Sequence, residues 1–169
     1  MSDIIQIYTD GACKGNPGPG GYGVVLLAGE RKRELSGGFR KTTNNRMELL
    51  ACIEGLRSLK RPSSVVLTSD SKYVVNAMVK GWAKKWRSRG WKLSPSKHAK
   101  NPDLWAQLLD LCAEHKVEFK WVKGHNEHPE NERCDELAVA ASEGKDLPVD
   151  AAFEEPEPPE GDLFSATKE

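Results

Sequence analysis

Little in this sequence would place it in a membrane, a disulfide scaffold or a zinc site. No apolar run approaches the ~20 residues that a membrane-spanning helix needs. The N-terminus also lacks the basic-then-apolar pattern of a secretion signal. The four cysteines, Cys13, Cys52, Cys112 and Cys134, are widely spaced and form no CxxC pair. That pattern argues against a zinc site and for a reduced, cytoplasmic setting. No internal repeat, heptad or long apolar edge is visible, so the chain is expected to be a monomer. What is present, 38% hydrophobic and 30% charged residues over a length of 169, describes a soluble globular domain with a real core.

The net charge of zero hides an asymmetry. From Glu143 to the C-terminus there are nine acids and two bases, a net of −7, so residues 1–142 carry +7. A basic body favours polyanionic partners. The segment AAFEEPEPPEGD is acidic and proline-rich, with little to bury. The expected division is a globular domain over residues 1–143 and an acidic tail over residues 144–169, flexible or loosely docked.

Hydrophobic periodicity predicts strands over Ile4–Asp10, Tyr22–Ala28 and Arg31–Lys41, then a helix from Asn44 to Leu59. A strand over Val65–Thr68 and a helix from Ser71 follow. A basic segment spans Lys80–Lys100. A helix opens at Asn101-Pro102, a last strand covers Val117–Val122, and Pro129 opens a final helix. This order implies an α/β fold: a mixed five-stranded sheet, three strands antiparallel and then two parallel, with helices on both faces.

Two apolar strands end in an acid: Asp10 in IIQIYTD and Asp70 in VVLTSD. In open α/β sheets ligands gather outside the carboxyl ends of the strands, and placing these two strands side by side brings Asp10 and Asp70 together there. Glu48 near the start of the first helix and Asp135 in the last are candidates to join them. Each acid also has a plainer reading. Asp10 can begin an Asp-Gly turn, and Glu48 can close a capping box with Asn45. Asp70 can cap the next helix, and Asp135 can favour the positive end of its own. If the four converge they must be neutralised, because clustered carboxylates raise one another's pKa. Oxygen-only donors suit a hard cation such as magnesium.

Four motifs in order, TDGACKGNPGPGGYG, TTNNRMEL, TSDSKYV and WVKGHNEHPENERCDELA, resemble the type 1 ribonuclease H family of the bacterial kind. The resemblance runs from Ile4 to about Ser142. It implies a ribonuclease H-like fold and endonucleolytic cleavage of the RNA strand of an RNA–DNA hybrid, leaving 3′-hydroxyl and 5′-phosphate ends. It also implies two Mg2+ ions, with Mn2+ a substitute, held by Asp10, Glu48, Asp70 and Asp135, Asp10 bridging both. His125 falls on the family's catalytic histidine, as a proton carrier or an aid to product release. Gly11, Ala12, Cys13, Asn16, Asn44 and Asn45 match the loop that contacts the hybrid's sugars and base edges, where a 2′-hydroxyl distinguishes RNA from DNA. Thr43 and Asn101 match a pocket for a DNA-strand phosphate. Lys72 stands where some relatives carry a neutral amide.

Within KGWAKKWRSRGWKLSPSKHAK there are eight Lys/Arg, no acid and three tryptophans. Trp82 and Trp86, four apart, are expected on one helical face, either in the core or on the surface. With Lys85 and Arg89 they correspond to the family's basic protrusion, which grips the hybrid. The tail reads as a solvated linker, as an electrostatic mimic folded over this protrusion, or as a partner peptide, since GDLF resembles short motifs that dock on replication sliding clamps. Two other functions share these features: a nuclease or strand-transferase of the same superfold acting on DNA, and a hybrid-binding module without catalysis.

Overall fold

A computed structural model of the protein describes residues 4–124 and 128–155. The central sheet has the order β3-β2-β1-β4-β7. Strands β1 (Ile5–Cys13), β2 (Gly18–Ala28) and β3 (Arg31–Thr42) form an antiparallel meander. Strands β4 (Ser64–Ser69) and β7 (Lys116–Trp121) add in parallel on the other side of β1. This is the mixed five-stranded sheet that the order of elements implies.

Helix α1 (Asn44–Arg57) and helix α5 (Pro129–Ser142) cover opposite faces of the sheet. The alternation along β2 sorts them. A Cβ at Gly20 would run into Met47 of α1, while Cβ atoms at Gly21 and Gly23 would strike the Ala138 and Cys134 carbonyls of α5. Glycine is required at Gly21 and Gly23 because the α5 backbone lies directly against the strand, whereas at Gly20 the Thr42 and Met47 side chains fill the space. On the α1 side the core contains Ile7, Val24, Leu49, Ile53, Leu56 and Leu67. Helices α2 (Lys72–Val79), α3 (Trp82–Ser88) and α4 (Pro102–Glu114) extend that core through Val74, Ala83, Trp105 and Leu108.

Three details depart from the sequence reading. First, β1 does not stop at Asp10. It stays paired with β2 as far as Cys13–Gly20, so most of the glycine-rich run is sheet and only residues 14–17 make the bend between the strands. Second, α1 is capped by Thr43, whose side chain accepts the Arg46 N–H at 3.2 Å, not by an Asn45–Glu48 box. Third, the basic segment contains a small hairpin, β5 (Lys92–Ser94) with β6 (Lys97–His98). Trp86 and Trp82 also part company. Trp86 packs edge-on against Trp105 at 5.7 Å, whereas Trp82 is 41% exposed.

The part of the expected tail that is described, residues 144–155, docks on the body. The Arg40 N–H donates to the Pro148 carbonyl at 3.0 Å, and a short helix α6 (Ala151–Glu154) follows. The cause is a charge match that composition alone conceals. Asp150 is 7% exposed and accepts from Arg46 Nε at 2.7 Å, Arg46 Nη2 at 3.0 Å and the Thr42 hydroxyl at 2.7 Å. Glu154 receives a two-pronged contact from Arg40 at 3.0 and 2.9 Å.

Candidate active site

The parallel ladders align three strand ends. Thr9 of β1, Ser69 of β4 and Trp121 of β7 occupy one row, the last paired row on that side. The next residues, Asp10 and Asp70, therefore emerge together at the carboxyl edge. Glu48 reaches them from α1 because β1 is bare at Gly11, where a Cβ would lie 2.5 Å from the Glu48 backbone nitrogen. Asp10, Glu48 and Asp70 each bring a carboxylate oxygen within 4.8 Å of the others. Asp135 comes from α5, which the glycines of β2 allow to sit close to the sheet. It shares a cleft of about 240 Å³ with Asp10, Asp70, His128, Asn131 and Glu132.

The plainer readings of two acids fail on geometry. The cap of α2 is Ser71, whose hydroxyl accepts the Val74 N–H at 3.2 Å, so Asp70 has no capping duty. Glu48 lies beyond the first turn of α1, and its Oε1 is buried with no hydrogen-bond partner among the described residues. An uncompensated buried carboxylate oxygen is costly. Burial, reinforced by the Asp70 carboxylate, pushes Asp10 up to about 8, against the pull of the Gly11 N–H at 2.9 Å. Burial and the neighbouring Asp10 and Asp70 likewise hold Glu48 well above the usual carboxylate range. No Lys or Arg forms an ion pair with this cluster among the described residues. The site is short of positive charge.

A second group of expected residues gathers nearby. Asn16, Thr43, Asn45 and Asn101 line one cavity of about 1020 Å³, and the Asn16 Oδ1 accepts the Asn44 N–H at 3.0 Å. Arg46 forms its floor. Its guanidinium is 4% exposed and binds Asp103 at 2.8 and 3.0 Å, Asp150 as above, and Asn101 Oδ1 at 3.2 Å. Asn101 in turn donates to the Tyr73 hydroxyl at 3.1 Å. Ala151, Ala152 and Phe153 of α6 form another wall. Gly11, Ala12 and Cys13 run along β1 from the acids toward Thr42, whose carbonyl accepts the Cys13 thiol at 3.3 Å.

The remaining expected contacts are dispersed. Lys85 and Arg89 are exposed on and just after α3, which Trp82 opens. Trp86 is half-buried, and Lys72 lies over the ring of Trp121. His125 lies outside the described residues. The sequence reading missed Arg46, Asp103, Asp150 and Trp121. Arg46 and Asp103 sit inside helix-forming stretches and read as surface charges, and only the burial of Arg46 and its contact with Asp103 reveal them.

The RNase H family model matches residues 2–143. This chain belongs to the ribonuclease H family. A ribonuclease H of Desulforamulus reducens is 64% identical over 146 residues, covering 86% of this chain and 92% of the relative. One from Trichodesmium erythraeum is 59% identical over 150 residues, 89% of this chain and 96% of the relative. Among solved structures, the type 1 enzyme LC9-RNase H1 superposes with a TM-score of 0.75 at 34% identity, over 84% of this chain and 73% of that one. LC11-RNase H1, solved in complex with an RNA/DNA hybrid, superposes with a TM-score of 0.60 at 26% identity, over 81% and 95%. The chain is therefore a ribonuclease H enzyme of type 1, an endonuclease for RNA paired with DNA. The reading as a binding module without catalysis falls away.

Proposed function

We propose that this enzyme hydrolyses the RNA strand of hybrids with two magnesium ions held by Asp10, Glu48, Asp70 and Asp135, leaving 3′-hydroxyl and 5′-phosphate ends. The observation that carries the reading is a buried carboxylate cluster with no Lys or Arg partner among the described residues. The donor set is all oxygen, which fits magnesium, and manganese as a substitute. The orphaned Glu48 Oε1 and the raised Asp10 are the features that a bound cation would relieve. When bound, such ions supply the Lewis-acid charge that activates water and stabilises the leaving oxygen of a phosphodiester.

The chain's own part is positioning. Strand ends hold Asp10 and Asp70, and two helices bring Glu48 and Asp135, so the acids need little rearrangement to face a substrate. Thr43 and Asn101, in the cavity they share with Asn16 and Asn45, receive a phosphate of the DNA strand, and Gly11 to Cys13 with Asn16, Asn44 and Asn45 approach the sugars and base edges. Lys72 contributes a further contact to the hybrid. Trp82, Lys85 and Arg89 grip the hybrid further along, with Trp86 bracing the protrusion from beneath. His125 carries a proton or aids product release. The enzyme acts as a cytoplasmic monomer, and GDLF in the terminal tail offers a contact for a sliding clamp, which a pull-down with the clamp would test.

Labelled RNA–DNA hybrid, duplex DNA and duplex RNA, each with and without magnesium, test the central reading. Cleavage confined to the RNA of the hybrid, dependent on magnesium, with the stated ends, is expected. Intact hybrid after incubation with folded protein and magnesium overturns it. Cut duplex DNA points instead to a DNA-directed enzyme of the same fold.

A further inference from the structure

We propose that Trp121 and Lys72 act as one unit that holds a phosphate of the RNA strand next to the scissile one, with Trp121 as the positioning residue. This rests on the reading of the hybrid as substrate. Trp121 ends β7, the edge strand beside β4, and is 43% exposed. Its indole N–H donates to the backbone carbonyl of Asp70 at 3.1 Å. The Val122 N–H adds a bond to the Ser69 carbonyl at 3.0 Å. The ring is thus fastened to the peptide that carries one of the site's acids, while much of its surface stays open.

Lys72 occupies the face of that ring, with Nζ 4.9 Å from the centroid. The side chain is exposed and makes no ion pair among the described residues. Its place in the fold is unfavourable to a cation, because it is the first residue of α2 and meets the positive end of that helix. A lysine there does nothing for the helix. Held over an aromatic face, however, its ammonium has a fixed direction and remains available to an anion. It stands two residues beyond Asp70, at the edge of the acid centre. The strand passing that edge is the one being cut, so the anion is an RNA phosphate.

The test compares the parent enzyme with Lys72→Gln, Trp121→Leu, Trp121→Phe and the Lys72→Gln/Trp121→Leu double variant. Urea unfolding verifies that each is folded. Hybrid cleavage in magnesium is measured across a salt series for KM and kcat. Trp121→Leu is expected to raise KM by roughly 3- to 10-fold, with the change in KM rather than kcat. It should flatten the salt dependence of binding by about one phosphate contact, as Lys72→Gln does. The double variant should match Lys72→Gln alone, and Trp121→Phe should fall between parent and leucine variant. A parental KM and salt slope in Trp121→Leu overturns the pairing. So does an equal rise in KM whether or not Lys72 is present. Were the leucine variant unfolded, Lys72→Gln decides alone, and an unchanged salt slope overturns the proposal. A parent that leaves hybrid whole, by contrast, overturns the substrate reading beneath it.

Discussion

Two clusters of carboxylates lie close together in this enzyme, at opposite ends of the first turns of α1. One, Asp103 and Asp150, surrounds Arg46, and its strong donors are all matched within the chain. The other, Asp10, Glu48 and Asp70, has no such guanidinium and leaves Glu48 Oε1 without a partner among the described residues. Burial alone would lower the Arg46 pKa, but hydrogen bonds that it donates to Asp103 and Asp150, and their charges, outweigh it and hold it above the ordinary value. In the second cluster nothing outweighs burial, and Asp10 rises to about 8. A buried acid with a resident cation is structure. A buried acid cluster without one, among the described residues, is what the proposed metal site requires.

The contrast is broken most severely by Asp10→Asn. Hybrid cleavage in magnesium should fall by at least ~10³-fold, since one oxygen donor of the cation site becomes neutral. Binding of hybrid, measured by fluorescence anisotropy, should persist. Comparable losses of binding and cleavage would assign Asp10 to substrate grip instead.

Arg46→Ala breaks the other cluster. It strands Asp150, which is buried, and should destabilise the fold by about 3–5 kcal/mol in urea unfolding. A change below ~1 kcal/mol would mean that the docked segment simply swings into water. Arg46→Lys should recover only part of the loss, because an ammonium cannot reproduce the two-sided fork.

The acid cluster should also carry a pH signature when metal is chelated. A carboxyl raised by folding contributes its stabilisation in full below its unfolded value, near 3.8, and loses it as pH rises through about 8. Stability of the metal-free parent should therefore decline across that window. Asp10→Asn should flatten the decline and, at pH 8, exceed the parent by about 2–4 kcal/mol. Magnesium should narrow that gap by stabilising the parent. A parent whose stability is level from pH 4 to 8 in chelator would contradict the raised Asp10.

The smallest effect belongs to charges in water. Neutralising Lys85 and Arg89 should weaken hybrid binding by about 1 kcal/mol per charge or less at moderate salt, and lower the salt slope by about two. Unchanged binding across the salt series would remove α3 from the interface.

Much of the acid site was legible in the chain because apolar strands that end in Asp10 and Asp70 are unusual, and because four ordered motifs accompany them. The five sheet strands were legible from alternation and from β-branched runs. The extension of β1 to Cys13 was not, because Gly20, Gly21 and Gly23 read as turn residues although they serve close helix packing. The docking of residues 144–155 was hidden for a related reason. Proline and acid read as solvated until Arg46, 104 positions before Asp150 and in contact with it, is known to be buried. Trp121 escaped notice because nothing local separates an exposed tryptophan from a core one.

By itself, the sequence determined the order of elements and the family, and singled out the four acids as candidates, because these reside in local periodicity and in residue types at set spacings. Tertiary structure alone decided which acids meet without a counter-charge and which are neutralised from within. That outcome depends on burial and on partners far apart in the chain, and charge carries no label of its surroundings until the chain has folded around it.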